Sequence, residues 1–478
     1  MNRGRVHFIG VGGSGMSAVA RLIAARGYDV SGSDRGESAY FRALRDAGMD
    51  VRVGHDPALV DGAVAVVVST AIRESNPELE RARELGIDVW HRSEALVRAL
   101  EGQRIIAVAG THGKTTTSAM VAHVLHHCGI DASYAIGARV FGIEGAVAGG
   151  YAGTAGIAVV EADESDGSFL RYDVDVAILT NVEPDHLDYY GTVEAMEKAF
   201  ASFAAAAARL VVCADDSLAV RIAEASGHAA RDVVTYGHAT DVNVLVADST
   251  LTRDGVTYES ALSMPGEHNR LNAAAAWIAA TQVGADPVQA AAALATFAGT
   301  GRRYQLRGMV GDVKVIDDYA HHPTEVTAVL QAAREAGVGR MVVLFQPALF
   351  SRTQAHSANF ARALSIANAD VVIAGVHGDR EEPIEGVNSQ LIADQMESVP
   401  GSTITVVEDL ADAAEVAAGL VRAGDTVLTV GSGTVTLAAD WVLASLERRL
   451  LGDGVVGVNA AAHDEVADNT VADAGVAE

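Results

Sequence analysis

Only three lysines occur in 478 residues, Lys114, Lys198 and Lys314, and 62 acidic side chains outnumber 35 basic ones. A formal charge of −27 excludes a surface that coats DNA or RNA, where clustered basic groups supply the affinity. It still allows a local cationic pocket for an anionic small molecule. Cysteine is sparse too: Cys128 and Cys213, both in apolar surroundings, point to neither a disulfide framework nor a zinc site, so a reducing cytosol is expected. No run of 18 apolar residues appears, and the chain moves straight into a strand pattern without a signal-peptide pattern. The stretch Ala204–Ala208 stops at Arg209 and is too short to cross a bilayer.

The length calls for two to four domains, and 49% hydrophobic with 20% charged residues fits a soluble globular protein. Residues 3 to about 98 alternate short apolar runs (Val6–Ile9, Val64–Val68) with helix-like stretches (Met16–Ala25, Glu78–Leu85), the rhythm of βαβ units on a parallel sheet. A second block opens at Arg104–Ala109 and continues through the expected strands Gly156–Val160, Val176–Thr180 and Arg209–Cys213 to a helix over Asn272–Val283. The texture changes at Gly299-Thr300-Gly301. A third α/β block follows, with strands expected at Val313–Ile316, Met341–Phe345, Val371–Ala374, Thr403–Val407 and Thr426–Val430. From Gly452 on there is no aromatic residue, lysine or arginine, and acidic residues accumulate, so this tail is expected to be disordered.

Gly110-Thr111-His112-Gly113-Lys114-Thr115-Thr116-Thr117 lies between an apolar strand and a helix expected over Ser118–His127. A glycine-rich turn there aims backbone N–H groups and the positive end of a helix dipole at one spot. The lysine adds a point charge for a phosphate, and the next hydroxyl can hold Mg²⁺. The strict Walker pattern would put glycine where Val108 stands, so this is a variant loop turned by Gly110 and Gly113.

Other constellations flank it. Gly10-Val11-Gly12-Gly13-Ser14-Gly15 with Asp34 nineteen residues later matches a dinucleotide fingerprint, and NAD is the plain guess. A second phosphate loop a hundred residues on suggests instead two different nucleotides, one of them a substrate. Glu161-Ala162-Asp163-Glu164-Ser165-Asp166 places carboxylates at a strand end, where Mg²⁺ would be held or where a solvated acidic loop would lie. Asn181-Val182-Glu183-Pro184-Asp185-His186-Leu187-Asp188 offers a histidine among acids, a metal ligand or a plain loop histidine. Asn269 and Asn272 share a helix face, with helix capping as the bland alternative. Arg302-Arg303 suits a charge clamp on a phosphoryl group, or a solvated pair. Asp317-Asp318-Tyr319-Ala320-His321-His322-Pro323-Thr324-Glu325 crowds titratable groups at another strand end.

In this order the motifs resemble the Mur ligases, from about Val6 to Leu446. The carriers are Gly10–Ser17, Gly110–Thr116, Glu161–Asp166, Thr180–Asp188, His268–Asn272 and Asp318–Glu325. No lysine lies between Glu161 and His186, which separates this chain from sister ligases that use a carbamylated lysine there. The resemblance implies an α/β enzyme of three domains: a Rossmann-like domain over 1–99 for UDP-N-acetylmuramate, a P-loop ATPase-type domain over 100–299 for ATP and Mg²⁺ (or Mn²⁺), and a Rossmann-like domain over 300–450 for a small amino acid. Residues 451–478 form the tail. It implies an ATP-dependent amide ligase acting through an acyl phosphate, at a cytoplasmic step of peptidoglycan synthesis on which cell shape and division depend. No nucleic-acid partner and no membrane span are expected, and monomer and homodimer stay open.

Carried over residue by residue, Lys114 would hold the β/γ phosphates, with Gly110, Thr111, Gly113, Thr115 and Thr116 around them. Thr115, Glu161 and His186 would be metal ligands. Asn269 and Asn272 would contact adenine, Asp318 the ribose, and Arg303 the phosphates. Gly10, Gly12, Gly13, Gly15, Met16, Ser17 and Asp34 would hold the UDP-sugar. Tyr319, His321, Ala348 and Arg352 would line the amino-acid pocket, with Arg352 on the carboxylate. Ala348 stands where the family has histidine, so glycine remains open beside L-alanine as the acceptor; a methyl group is worth only about 1–3 kcal/mol of discrimination. Gly431-Ser432-Gly433-Thr434 replaces Gly-Ala-Gly-Asp, and Asp379-Arg380-Glu381 replaces Ala-Arg-Glu. Two rival readings are a recycling ligase that attaches a preformed tripeptide and, outside the class, a nicotinamide-dependent dehydrogenase.

Overall fold

The computed structural model describes residues 3–146, 149–366, 369–379, 381–397 and 401–451. Arg380 and the acidic tail therefore lie outside the described residues. These divide into two compact units that part between Thr300 and Gly301, with residues 264–266 grouped in the second. No described helix is long and apolar enough to cross a membrane.

The first unit carries two sheets. One has five parallel strands in the order Asp50–Val53, Asp29–Asp34, Arg5–Ile9, Ala63–Val68 and Asp88–His91. Its central strand is buried from Val6 to Ile9, as a parallel strand covered on both faces must be. The other sheet has ten strands. Its parallel heart runs Val233–Gly237, Arg209–Cys213, Val174–Leu179, Arg104–Ala109, Ile157–Glu161 and Ser133–Ala135. A single core joins both sheets, from Val6 and Phe8 through Ala107 and Val160 to Phe200 and Val212. Cys128 and Cys213 are both free thiols.

The second unit has six strands in the order Gln305–Val310, Val313–Asp318, Thr426–Val430, Met341–Phe345, Asp370–Ala374 and Ile404–Val407. Alternation fixes its two faces. Met341, Val343 and Phe345 enter one core while Val342 and Leu344 enter the other, and the next strand divides Val371 and Ile373 from Val372 and Ala374 in the same way. Helices therefore cover both sides.

The α/β reading holds, yet the sheets are not wholly parallel. Val244–Val246, Thr250–Arg253 and Val256–Glu259 form an antiparallel edge, and Gln305–Val310 runs antiparallel beside Val313–Asp318. Local turn chemistry is the cause. Asp254 and Gly255 both adopt positive φ, 52° and 77°, which suits a two-residue hairpin between Arg253 and Val256. Two expected helix starts also move towards the N-terminus. Lys114–His127 replaces Ser118–His127, and Glu267–Gln282 replaces Asn272–Val283, because each motif supplies the helix's first turn itself.

Candidate functional site

The strand Arg104–Ala109 delivers the chain to Gly110, where φ is 138° and a Cβ would lie 2.1 Å from Thr180 Oγ1 and 2.8 Å from the Asn181 carbonyl. Only glycine fits. Thr111 N–H donates to the Asn181 carbonyl at 3.0 Å and His112 N–H to Asn181 Oδ1 at 2.8 Å. Thr180 Oγ1 and Asn181 Nδ2 donate to the His112 carbonyl at 2.6 and 3.0 Å. The turn is thus fixed by the segment that follows the neighbouring strand. Gly113, at φ 81°, precedes the helix Lys114–His127, and no side chain caps it. Its dipole's positive end faces the turn.

Lys114 opens that helix. Its Nζ donates to the carbonyls of Gly110 and Thr111 at 2.8 and 3.1 Å and to Glu164 Oε1 at 2.9 Å. Burial opposes the charge, but Glu164, Asp163 and Glu161 outweigh it and raise the proton affinity of Lys114, so the ammonium stays charged. Burial likewise works to raise Asp163, yet Lys114, Ser165 and Arg92 together hold its carboxyl below the ordinary range. Thr115 Oγ1 donates to Glu161 Oε1 at 2.7 Å, and Glu161 Oε2 accepts the Gly137 N–H at 2.7 Å. His186 Nε2 lies 3.9 Å from Glu164 Oε1 and 3.8 Å from Asp185 Oδ2. At φ 51°, His186 sits in the left-handed region, a strain of about 1–2 kcal/mol that packing must offset.

Lys114, Thr115, Glu161 and His186 are therefore neighbours. The donors suit a hard divalent cation: a hydroxyl and a carboxylate side by side, with Glu164 Oε2 buried and lacking a hydrogen-bond partner among the described residues. The set fits Mg²⁺, and His186 would also admit Mn²⁺. Thr116 is buried in the first helical turn. Asn269 and Asn272 are buried on one helix face, with Asn272 Nδ2 3.4 Å from Asn269 Oδ1, and Asn272 Oδ1 lies against Gly113. Both lie inside the helix Glu267–Gln282.

At the first glycine loop, Gly10 N–H and Val11 N–H both donate to the Ser33 carbonyl. Gly12 N–H donates to Asp34 Oδ2 at 2.7 Å, and Ser38 Oγ donates to the Gly12 carbonyl at 2.6 Å. Asp34 thus braces the loop itself. Gly13, with extended backbone, precedes the helix Ser14–Ala25, which again has no side-chain cap. Met16 and Ser17 are turned inward, Met16 into the core and Ser17 Oγ onto the Ser14 carbonyl. These two can meet a ligand only through their backbone.

In the second unit, Val313–Asp318 ends at a compact cluster. Asp318 accepts the Tyr304 and Ala320 N–H groups at 2.7 and 2.8 Å, and burial pushes its carboxyl up to about 6 against the opposing charge of Arg303. Arg302 and Tyr304 both adopt left-handed backbone, φ 59° and 49°, on either side of Arg303. The guanidiniums of Arg302 and Arg303 lie 4.7 and 5.1 Å from the Tyr319 ring centre. Arg302 is then consumed by structure, donating to the carbonyls of Gly431, Ser432 and Gly433 at 2.7, 3.1 and 3.3 Å.

His321 stacks edge-on to Tyr319 at 5.2 Å. Its Nδ1 lies 3.1 Å from the Tyr319 carbonyl and 3.4 Å from Glu325 Oε2. Burial lowers it to about 4, with Arg352 and Arg303 adding to the effect against Glu325, so its ring is neutral. Ala348 is buried and pairs as a lone β-bridge with His377. A Cβ on Gly433 would fall 2.6 Å from the His377 ring, so that imidazole covers the glycine.

Three contributors were not assigned from sequence: Glu164 as the partner of Lys114, Asn181 as the loop's brace, and His377 beside Ala348. The acidic run announced Glu164 without separating it from its three neighbouring carboxylates.

Three family models match the chain: "Mur ligase family, catalytic domain" over residues 5–104, "Mur ligase middle domain" over 108–280 and "Mur ligase, glutamate ligase domain" over 302–433. A UDP-N-acetylmuramate–L-alanine ligase of Kineococcus radiotolerans is 48% identical, covering 93% of this chain and 97% of that protein. The protein of that name from Renibacterium salmoninarum is 46% identical, over 93% and 96%. Among solved structures, a UDP-N-acetylmuramate–alanine ligase of Thermotoga maritima superposes with a TM-score of 0.77 at 29% identity, over 94% of this chain and all of that one. A murein peptide ligase of Psychrobacter arcticus gives 0.68 at 26%, over 95% and 100%.

Proposed function

We infer the reaction from a premise of descent: the chain belongs to the Mur ligase family. It is an ATP-dependent ligase that joins L-alanine to the lactyl carboxylate of UDP-N-acetylmuramate, with Mg²⁺ as its metal. Full-length relatives at 42–48% identity carry that activity in their names, which favours it over tripeptide recycling and over nicotinamide chemistry. We place the reaction in the cytoplasm, where its substrates are made.

The chemistry matches the residues. A carboxylate is a poor acyl donor. One of its oxygens attacks the γ-phosphorus of ATP, the bond to the β,γ-bridging oxygen breaks, and ADP leaves. The amine nitrogen then attacks the acyl carbon, loses a proton, and inorganic phosphate departs from the tetrahedral intermediate. Such a path needs charge stabilisation rather than a side-chain nucleophile. Lys114 would neutralise the β/γ phosphates within the Gly110–Thr116 turn. Thr115, Glu161 and His186 would hold the divalent cation, which when bound supplies further positive charge to the phosphoryl oxygens. Asn269 and Asn272 are assigned to adenine, Asp318 to ribose and Arg303 to phosphate. Tyr319, His321, Ala348 and Arg352 are assigned to the amino acid. The sugar nucleotide is assigned to residues 1–99, ATP to 100–299 and the amino acid to 300–450.

The observation that carries this reading is the junction of Lys114, Glu164, Thr115, Glu161 and His186 at an uncapped helix start. It is tested by phosphate release from ATP with UDP-N-acetylmuramate, comparing L-alanine, glycine and L-serine. L-Alanine should give the highest kcat/KM; no release with any of the three overturns the reading, and a preference for glycine would reassign the acceptor.

A further inference from the structure

Gly15 is the last glycine of the first loop, yet its backbone does not need to be glycine. It lies in the helix Ser14–Ala25 without a left-handed φ, where alanine is the better helix former. Close helix–strand packing does not explain it either. The three atoms nearest a Cβ built on Gly15 all belong to Arg92: Nη1 at 2.8 Å, Cδ at 3.4 Å and Cζ at 3.5 Å. The space that a methyl group would take is filled by a guanidinium.

Arg92 follows the strand Asp88–His91 and opens the helix Arg92–Leu100, with His91 as the cap through its contact with Ser93 N–H. It is half-buried, and among the described residues its guanidinium enters no hydrogen bond or ion pair. Asp163 and His91 nonetheless feel its charge. A partly buried arginine with its donors unspent is costly unless something else engages it. It is held against an uncapped helix start and a glycine turn, a setting that already favours anions. The planar fork of donors matches two phosphate oxygens at once.

We propose that Arg92 grips the diphosphate of the nucleotide sugar, and that Gly15 lacks a side chain so that this arginine can reach it. The inference rests on the sugar-nucleotide reading of the first loop and adds a positioning cation supplied by a different βα turn.

The test is calorimetric titration of the full chain with UDP-N-acetylmuramate, UDP-N-acetylglucosamine and UDP, using wild type, Arg92→Ala, Arg92→Lys and Gly15→Ala. Arg92→Ala should weaken all three ligands alike by about 10- to 100-fold, Arg92→Lys should recover part of the loss, and the affinity for a non-hydrolysable ATP analogue should be unchanged. Gly15→Ala, whose backbone is unstrained, should cost about 10-fold by pushing the guanidinium aside, and should add little to Arg92→Ala. Should Arg92→Ala fail to fold, Arg92→Lys and Gly15→Ala carry the comparison. Unchanged affinities in the variants overturn the role of Arg92 alone. A loss confined to UDP-N-acetylmuramate also overturns it, because the lactyl carboxylate would then be the partner. If the wild type binds no uridine nucleotide, the reading of the first loop falls and this inference with it.

Discussion

The two glycine turns of the first unit share a plan and differ in their charges. Each follows a buried parallel strand, Arg5–Ile9 or Arg104–Ala109, and each opens a helix that no side chain caps. Ser38, Asn76, Thr192 and Asp216, by contrast, cap other helices of the same unit. Around Gly110–Thr117 the chain gathers Glu161, Asp163 and Glu164 about a single lysine, a surplus of negative charge that calls for a divalent cation. Around Gly10–Gly15 it places one carboxylate, Asp34, on the loop's own backbone and one arginine against its last glycine. On the proposed reading both turns take anions, and the residues packed behind them decide whether the anion comes with a metal.

The sharpest way to break this comparison is Lys114→Ala. Phosphate release should fall below detection while UDP-N-acetylmuramate affinity stays within about twofold, because the ammonium serves only the second turn. Retained turnover would remove the lysine from the chemistry. Glu164→Gln comes next. The amide keeps the shape but not the charge that sets the ammonium, and kcat should drop about 10- to 100-fold, the scale of lost supporting contacts at a metal site. A rate equal to wild type would make Glu164 a filler.

Much of this was legible in the sequence, and the failures have physical causes. Strands such as Arg104–Ala109, Arg209–Cys213, Met341–Phe345 and Thr426–Val430 were read to the residue, since unbroken apolar runs between turn signals leave little choice. The antiparallel edge Val244–Glu259 was not read, although Asp254-Gly255 is a strong hairpin signal; its strands are short and half-exposed, so hydrophobicity says little there. The Lys114, Thr115, Glu161 and His186 grouping followed from motif order, but Glu164 did not. Which of four carboxylates in Glu161–Asp166 meets the lysine depends on how the chain turns after the strand ends at Glu161. Arg92 carried no motif at all. Its place is set by the packing of one βα turn against another, which no local pattern encodes.

Two milder substitutions sharpen the contrast. Arg352→Ala lies outside both turns and should raise the KM for the amino acid about 10- to 100-fold, with the KM for ATP unchanged. An unaltered amino-acid KM would exclude a carboxylate contact. Asp34→Asn acts within the first turn. It weakens the brace on Gly12 N–H and should raise the KM for UDP-N-acetylmuramate about 10-fold while ATP kinetics stay put. Equal changes in both KM values would mean that the two turns are not separable.

The smallest effect is one of pH, within the second unit. His321 titrates at about 4 when folded, against 6.5 ordinarily, so between those values the unfolded chain binds more protons and stability rises with pH. Asp318, raised from 3.8 to about 6, works the other way: the folded state holds the extra proton, and stability falls as pH climbs through that window. The two nearly cancel between about pH 4 and 6. His321→Gln removes the rising contribution and leaves the falling one, so the variant should lose stability relative to wild type as pH goes from 4 to 6.5. Hydrogen exchange of the amides in Val313–Asp318 and Thr426–Val430, followed at pH 4.5, 5.5 and 6.5 and corrected for intrinsic rates, measures this within the second unit. Parallel profiles for wild type and variant would show that the imidazole is not held neutral by burial beside Arg303 and Arg352 with Glu325 opposing them.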